Sequence, residues 1–359
     1  MGAAQPVDRQ KVTSKTAEGS EARQKKAIIP TGPVGLDVGT SHIIAACKDR
    51  NHIDTYKQLN AFFTLPKSNF ARNILSKNDI LHFEMGNHFY IYGYSAQEFA
   101  LMFHVNTRRS IKKGLLSAEE KDSIYVVQAA VNSLIQPPKQ FGETLCFATP
   151  GEPLQGIGSV VYHESILKRF LTGMGYTPIS INEGMAVVLA ELSDYDYTGI
   201  GISMGGGMCN VCVSYLSFPV ITFSIQKAGD YIDSMVGLSV DEPATKIQSI
   251  KEKNFDMLKE PKDRISTALH IFYEDVIHSL LKSLQRILSS SEHLPMISKP
   301  MPIVLSGGTA MPAGCEEKFQ KILQSYDMPI QIEGVHIAKD PLNATAKGAL
   351  IMALTEVTE

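Results

Sequence analysis

The stretch Gly35-Leu36-Asp37-Val38-Gly39-Thr40-Ser41-His42 is a glycine turn that follows a short apolar segment, and a second turn, Gly201-Ile202-Ser203-Met204-Gly205-Gly206-Gly207-Met208, stands in the other half of the chain. Glycine permits such tight turns and leaves backbone N–H groups free to face a phosphate. Thr40 and Ser41 add hydroxyl donors to the first turn. A phosphate-cradling hairpin in each half predicts a nucleotide clamped between two similar domains.

A third glycine segment follows an apolar stretch near the C-terminus. Ile303 to Leu305 run into Ser306-Gly307-Gly308-Thr309, whose backbone can pass close to a flat base or ribose. A tight turn explains any one of these segments by itself, but three in this order, each after a strand, favour a nucleotide site. Each of the first two turns begins a similar series of strands and helices. This order predicts a duplicated α/β fold.

Length and composition set the broad class of the protein. At 359 residues the chain favours two domains of about 150 residues each, and 44% apolar residues allow each to bury a core. No apolar run reaches the ~20 residues that a membrane helix needs, and no signal-peptide pattern begins the chain. We therefore expect a cytosolic protein.

The cysteines indicate reduced thiols. Five of them, an odd number, are scattered along the sequence, which argues against a disulfide framework. Cys209 and Cys212 form a single CxxC pair. On a strand, an offset of three turns two side chains to opposite faces. We expect small buried hydrophobic residues here rather than a metal or redox site.

Residues 1–32 are expected to form a disordered basic tail. Positions 1–26 hold six Lys and Arg against three Asp and Glu, although the whole chain has a net charge of −3. Few aromatic or branched apolar residues are present, so burial cannot offset the entropy of ordering the segment. Such a tail either touches an anionic membrane or an acidic partner, or is a solubilising extension.

Several stretches together resemble the actin-like ATPase superfamily, which includes actin, sugar kinases and heat-shock chaperones. They are the first turn, Lys227-Ala228-Gly229-Asp230-Tyr231-Ile232-Asp233, Val304-Leu305-Ser306-Gly307-Gly308, Lys339-Asp340-Pro341 and Lys347-Gly348-Ala349-Leu350. Within this superfamily the chain is most similar to bacterial actins of the MreB and MamK type, over about residues 33 to 355. The resemblance implies an actin-like, ribonuclease H-like α/β fold with two domains around a cleft that holds ATP or ADP with Mg²⁺.

The same resemblance implies domain boundaries. Residues 33–180 correspond to the first actin-like domain, with subdomains I and II. Residues 181–359 correspond to the second, with subdomains III and IV and a C-terminal helix that returns to the first domain.

The resemblance also implies roles for residues of the first turn and of the helix that begins at Glu183. Asp37 is similar to the family's Mg²⁺-associated acid, which acts through the metal's water shell. Glu183 is similar to the glutamate that orients the attacking water in phosphoryl transfer. An acid favoured by the helix macrodipole is the alternative for Glu183. His42 either contacts the terminal phosphate or points to solvent.

The remaining expected nucleotide contacts come from both halves. Gly39, Thr40, Ser41, Ser203, Gly205, Gly206 and Gly207 would surround the phosphates; Gly229 and Asp230 would lie beside the ribose; Gly307, Gly308 and Thr309 would form the adenosine loop. Thr245 and Gln248 fall near positions where MreB carries a glutamate and a lysine that hold the nucleoside. This departure leaves the choice between ATP and GTP open.

A larger departure concerns the second phosphate turn. The family pattern is acid-x-Gly-x-Gly-Thr-Thr, and here Ser203 replaces the acid and Met208 a hydroxyl donor. Losing an outer-shell partner weakens metal binding or activity by roughly 10 to 100-fold. We therefore expect nucleotide binding with slow hydrolysis or none, and a Ser203→Asp variant that turns ATP over faster.

Three functions follow from these expectations. The first is a filament-forming cytoskeletal protein that self-associates in an ATP-dependent way and organises magnetosomes or another intracellular structure. The second is a nonpolymerising nucleotide-binding scaffold, held to a membrane machine through an adaptor protein. The third, a small-molecule kinase, is the least favoured because no acceptor base is evident.

A basic cluster raises the question of nucleic acid. Arg108, Arg109, Lys112 and Lys113 lie close together in the sequence, but no aromatic residues alternate with them and the net charge is negative. We expect no nucleic-acid partner, and interpret the cluster as a solvated face or a filament contact.

Overall fold

The computed structural model describes residues 27–50, 52–103, 107–116, 122–155, 159–291 and 299–357. Most of the predicted tail lies outside these residues. In the described ranges, no helix combines the length and the apolar character needed to cross a membrane.

The first half of the chain is built around one five-stranded sheet. The strands of this half are β1 (Val34–Val38), β2 (His42–Asp49), β3 (His52–Leu59), β4 (Phe62–Pro66), β5 (His82–Met85), β6 (His88–Tyr92), β7 (Ile111–Lys112), β8 (Leu115–Leu116), β9 (Thr144–Thr149) and β10 (Thr177–Asn182). Its helices are α1 (Asn69–Lys77), α2 (Tyr94–Phe103), α3 (Ser123–Leu134) and α4 (Val160–Gly173). The main sheet has the order β3-β2-β1-β9-β10, while β4, β6 and β5 form a smaller sheet and β7 and β8 a hairpin.

The second half repeats this plan. Its helices are α5 (Glu183–Glu191), α6 (Gly229–Val240), α7 (Ala244–Asn254), α8 (Arg264–Ser290), α9 (Cys315–Leu323) and α10 (Ala344–Val357). Its strands are β11 (Gly199–Met204), β12 (Cys209–Tyr215), β13 (Phe218–Ile225), β14 (Met301–Ser306) and β15 (Ile332–Ile337). The sheet order is β13-β12-β11-β14-β15.

The two main sheets have the same topology. In each, an antiparallel meander of three strands is followed by two strands that run parallel to its first strand. Each half has its own buried core, with Leu36 and Phe147 in the first and Ile202 and Leu284 in the second. The duplicated α/β fold expected from the sequence is therefore confirmed.

Helices α5 and α10 pack against each other, and α10 also packs on β1, β9 and β2. Glycine makes this close packing possible: a Cβ on Gly348 would meet the carbonyl group of Ala186, and a Cβ on Gly35 would meet the backbone of Ala346 and Leu350. Helix α10 therefore lies on the main sheet of the first half.

The structure differs from the sequence-based expectation at the end of the tail. Ile28 donates its backbone N–H to Leu134 at 3.0 Å, and Gln136 donates to Ile28 at 2.8 Å. The Ile28 side chain packs against the first core. Residues 27–32 thus belong to the ordered fold, because a branched apolar side chain at position 28 finds a place at the end of α3.

The CxxC pair lies on β12 with both sulfurs buried. Cys209 packs in the core of the second half, and Cys212 packs with Met185 of α5 on the other face of the sheet. The expected separation onto opposite faces is confirmed, and burial raises the pKa of the Cys212 thiol to about 12.

Candidate functional site

A cleft lies where the two glycine turns meet, with an empty volume of about 830 Å³ that includes its open mouth. Every candidate residue named from the sequence lines it except Thr245, which is an exposed residue of α7. The lining candidates are Asp37, Gly39, Thr40, Ser41, His42, Glu183, Ser203, Gly205, Gly206, Gly207, Gly229, Asp230, Gln248, Gly307, Gly308 and Thr309. The fold thus brings residues from both halves to one place.

The two glycine turns are structurally equivalent. Gly39 donates its N–H to the carbonyl of His42 at 2.9 Å, and Gly205 donates to Met208 at the same distance. Asp37 and Ser203 each precede the glycine by two residues and occupy the same position on β1 and β11. The serine therefore stands where the first half places its acid.

The tips of the two turns face each other at close range. A Cβ on Gly206 would meet the Ser41 hydroxyl, and a Cβ on Gly207 would meet Thr40 and the backbone of Gly114. Any side chain at either glycine would push the tips apart. The three consecutive glycines are therefore explained by the opposing turn as well as by the need for a tight bend.

Two carboxylates share the base of the cleft. Burial raises the pKa of Asp37 well above its usual value, and the negative charge of Glu183 raises it further. Burial also raises the pKa of Glu183, and hydrogen bonds from Ser203 and Asn210 oppose that shift. Two desolvated acids in one cavity form a site that a cation or a proton would stabilise.

Glu183 is held in place by its backbone and by its side chain. Asn182 caps α5, because its side-chain oxygen accepts from the N–H groups of Gly184 at 2.9 Å and Met185 at 3.2 Å. Ser203 Oγ donates to Glu183 Oε2 at 3.0 Å, and Asn210 Nδ2 donates to the same oxygen at 2.8 Å. The helix macrodipole favours an acid at this position, but the side chain is also anchored to the second turn.

Asn210 was not recognised from the sequence as part of the site. It is 1% exposed, lies opposite Ser203 in the β11–β12 pairing, and accepts from the N–H of Gly151 at 2.9 Å. An amide in the middle of an apolar strand, Cys209-Asn210-Val211-Cys212, is the signal that could have identified it, since a buried polar side chain needs a partner.

A buried ion pair joins α6 and α7 where they line the cleft. Lys251 Nζ is 2.8 Å from Asp233 Oδ1, both side chains are 6% exposed, and Lys251 also donates to the carbonyl of Gly229 at 3.2 Å. Burial raises the pKa of Asp233 to about 6, against the opposing effect of Lys251. Lys251 follows Gln248 by one helical turn, so the same face of α7 carries both residues.

His42 lines the cleft beside the first turn. Burial lowers the pKa of its ring to about 4, and the positive charges of Lys57 and Arg109 act in the same direction. The ring is therefore neutral at pH 7 and adds no positive charge to this part of the cleft.

Arg109 belongs to the basic cluster that we interpreted as a solvated face or a filament contact, but its side chain contacts residues of the cleft instead of solvent alone. Its guanidinium donates to Ser41 Oγ at 2.6 Å and to the carbonyl of Thr40 at 3.2 Å, and on the opposite side to Gln248 Oε1 at 3.1 Å. It also lies 3.7 Å from Asp230 Oδ1. No local sequence pattern indicated these contacts, because the Ser41 and Gln248 side chains are 68 and 139 residues away along the chain.

Comparisons with known proteins agree with this architecture. The sequence model of the family described as Volactin matches residues 33–353. No curated protein matches the sequence.

Solved structures with the same fold include a MamK double helical filament, with a TM-score of 0.67 and 18% identity over 90% of this chain and 98% of that one. MreB 5 of Spiroplasma citri bound to AMPPNP has a TM-score of 0.66 and 15% identity, over 91% of this chain and 97% of that one. The ethanolamine utilization protein EutJ from Carboxydothermus hydrogenoformans has a TM-score of 0.53 and 16% identity, over 91% and 92% of the two chains. The fold is therefore that of the actin-like proteins.

Proposed function

The chain belongs to the Volactin family, and from that premise we propose that it is an actin-like cytoskeletal protein that binds ATP and assembles into filaments. The observation that carries the proposal is the meeting of two equivalent glycine turns over a buried pair of carboxylates. The likeness to a MamK filament and to an AMPPNP-bound MreB 5 supports it.

The residues of the cleft fit a nucleotide with a magnesium ion. Backbone segments without a Cβ face it from both halves, and Gly308 has open space where a side chain would stand. Asp37 and Glu183 offer the hard oxygen donors that Mg²⁺ prefers. Within the described ranges no group of three or more metal-binding side chains stands together, so the ion would keep most of its waters.

Each part of the cleft has a separate task in this proposal. Gly39, Thr40, Ser41 and the glycines of the second turn would hold the phosphates, and Asp37 would hold the ion through water. When bound, Mg²⁺ would offset the negative charge of the phosphates. Glu183 would orient and deprotonate a water, with Oε2 fixed by Ser203 and Asn210.

We propose slow hydrolysis, because the position equivalent to Asp37 in the second turn carries the uncharged Ser203. Nucleotide binding would then mainly set the conformation and assembly of the protein. A heterologous contact between subunits that does not close by rotation produces an open filament.

We further propose that the domains divide near residue 180, with residues up to 180 in the first and 181–359 in the second. The separate cores of the two halves support this boundary, and α10 would link the second domain back to the first.

Electron microscopy and sedimentation of the purified protein with Mg²⁺ and ATP, ADP or no nucleotide test the proposal. We expect filaments with ATP, and few with an Asp37→Asn variant. Nucleotide binding without filaments, at any protein concentration, would instead support a nonpolymerising scaffold. Absence of nucleotide binding would refute the proposal altogether.

A further inference from the structure

Arg109 connects the phosphate end of the cleft to the nucleoside end. It reaches the first glycine turn at Thr40 and Ser41, and it reaches Gln248 of α7 on the far side. These contacts join the two halves of the protein through residues that line the cleft, Thr40 and Ser41 on one side and Gln248 on the other. The Arg109 side chain is 23% exposed, so solvent competes for these hydrogen bonds less than at an open surface.

The contact with Ser41 also restricts where the hydroxyl proton of Ser41 can point. A guanidinium has donors only, so Ser41 Oγ is the acceptor in this hydrogen bond. The hydroxyl proton of Ser41 must then point to another acceptor. Because Ser41 lines the cleft, its O–H is available to an anionic oxygen there.

We propose that Arg109 is a positioning residue of the nucleotide site, which ties the first glycine turn to α7 across the cleft and presents the Ser41 hydroxyl as a donor to phosphate. This inference rests on the proposed nucleotide-binding function for its consequence, but the tie itself can be measured without a nucleotide. The planar fork of arginine suits it to several acceptors at once, which a lysine cannot reproduce.

The neighbouring Arg108 provides a matched control. It is exposed, and its guanidinium stacks over the Phe62 ring at 4.5 Å from the centroid. An Arg108→Ala change removes the same charge one residue away. An effect that both variants share is therefore not specific to the contacts of Arg109.

Hydrogen exchange of the nucleotide-free protein tests whether Arg109 connects the first glycine turn to α7. We expect Arg109→Ala to speed exchange in the peptides that contain residues 39–42 and 244–254, and Arg108→Ala to leave them unchanged. Gln248→Ala should have a smaller effect in the same direction, because Arg109 keeps its contact with Asp230. The double variant should exchange no faster than Arg109→Ala alone. Equal exchange rates in Arg109→Ala and in the unaltered protein would refute the proposed connection between the turn and α7.

Release of a fluorescent ADP analogue, chased with excess ATP, tests the consequence for binding. We expect Arg109→Ala to release the nucleotide about tenfold faster or more, as the loss of a charge-assisted hydrogen bond predicts. Arg109→Lys should recover part of this effect, because it retains the charge and one donor for Ser41. In a Ser41→Ala background, the Arg109→Ala change should have little further effect on release.

Hydrogen exchange and nucleotide release together distinguish a failure of the positioning role of Arg109 from a failure of the proposed nucleotide-binding function. Slower release or unchanged release in Arg109→Ala overturns the positioning role. If the unaltered protein binds no nucleotide, the proposed function fails, and the exchange data alone decide whether Arg109 ties the halves together.

Discussion

Ser203 Oγ donates a hydrogen bond to Glu183 Oε2 at 3.0 Å, from the strand position that corresponds to Asp37 in the other half. Asn210, paired opposite Ser203 on the next strand, donates to the same oxygen at 2.8 Å. The residue that replaces an acid in the second turn is thus a donor to the buried glutamate. This contact changes what a substitution at position 203 is expected to do.

We expect Ser203→Asp by itself to turn ATP over no faster than the unaltered protein, because the change that restores the acid also removes the hydrogen bond that fixes Glu183. A carboxylate at this position cannot donate to Glu183 unless it is protonated, and it adds a third acidic group to the buried pair. The lost hydrogen bond should lower the free energy of unfolding by about 1–3 kcal/mol. Ser203→Thr, which keeps the hydroxyl, should retain both properties in ATPase assays and thermal melts. Faster turnover in Ser203→Asp would restore the expectation drawn from the sequence.

Glu183→Gln should separate nucleotide binding from hydrolysis. The amide keeps the size of the side chain but cannot accept a proton from water, so residual turnover should fall about 100-fold or more. Binding of a fluorescent ATP analogue should change little. Phosphate release from preformed ATP complexes measures the first effect and equilibrium titration the second. Undiminished hydrolysis would remove Glu183 from the catalytic role.

Two adjacent glycines should respond differently to alanine. Gly307 has a φ of +90°, and a Cβ there would meet the backbone of Met204, so Gly307→Ala should destabilise the fold by about 1–2 kcal/mol or more. At Gly308 a Cβ meets nothing within 4 Å. Gly308→Ala should therefore keep the melting temperature but weaken nucleotide binding, since the methyl group occupies cleft space. Unchanged affinity in that variant would argue against the adenosine loop.

His163 should make the fold sensitive to acid. Leu116 donates its backbone N–H to His163 Nδ1 at 3.2 Å, which requires a neutral ring, and burial lowers the pKa of the ring to about 4. The unfolded chain binds a proton near pH 6.5 and the folded chain does not. The contribution of neutral His163 is therefore fully present above pH 6.5 and is lost as the pH falls from 6.5 towards 4.

His163→Asn tests this linkage, because its side-chain oxygen can accept from Leu116 without titrating. Denaturant unfolding at about pH 7 and about pH 4.5 should show a smaller loss of stability in the variant, by on the order of 3 kcal/mol at most. The exposed His88, changed to Asn, serves as the control. The same acid loss in both variants would contradict the assignment.

The sequence predicted most of the framework because local chemistry specifies it. The turns at Gly39 and Gly205 and the helix that begins at Glu183 each follow from residues within a few positions of one another. The main errors were at the tail boundary near Ile28 and in the interpretation of Arg109, where distant partners decide the outcome.

By itself, the sequence determined that two similar α/β halves each begin with a glycine turn and that one turn has lost its acid. Only the tertiary structure decided which residue the serine in place of that acid contacts. Ser203 meets Glu183, Asn210 meets Glu183, and Arg109 meets Gln248, through contacts between segments 20, 27 and 139 residues apart. Hydrogen bonds act over about 3 Å, so their partners are known only once folding has brought those segments together.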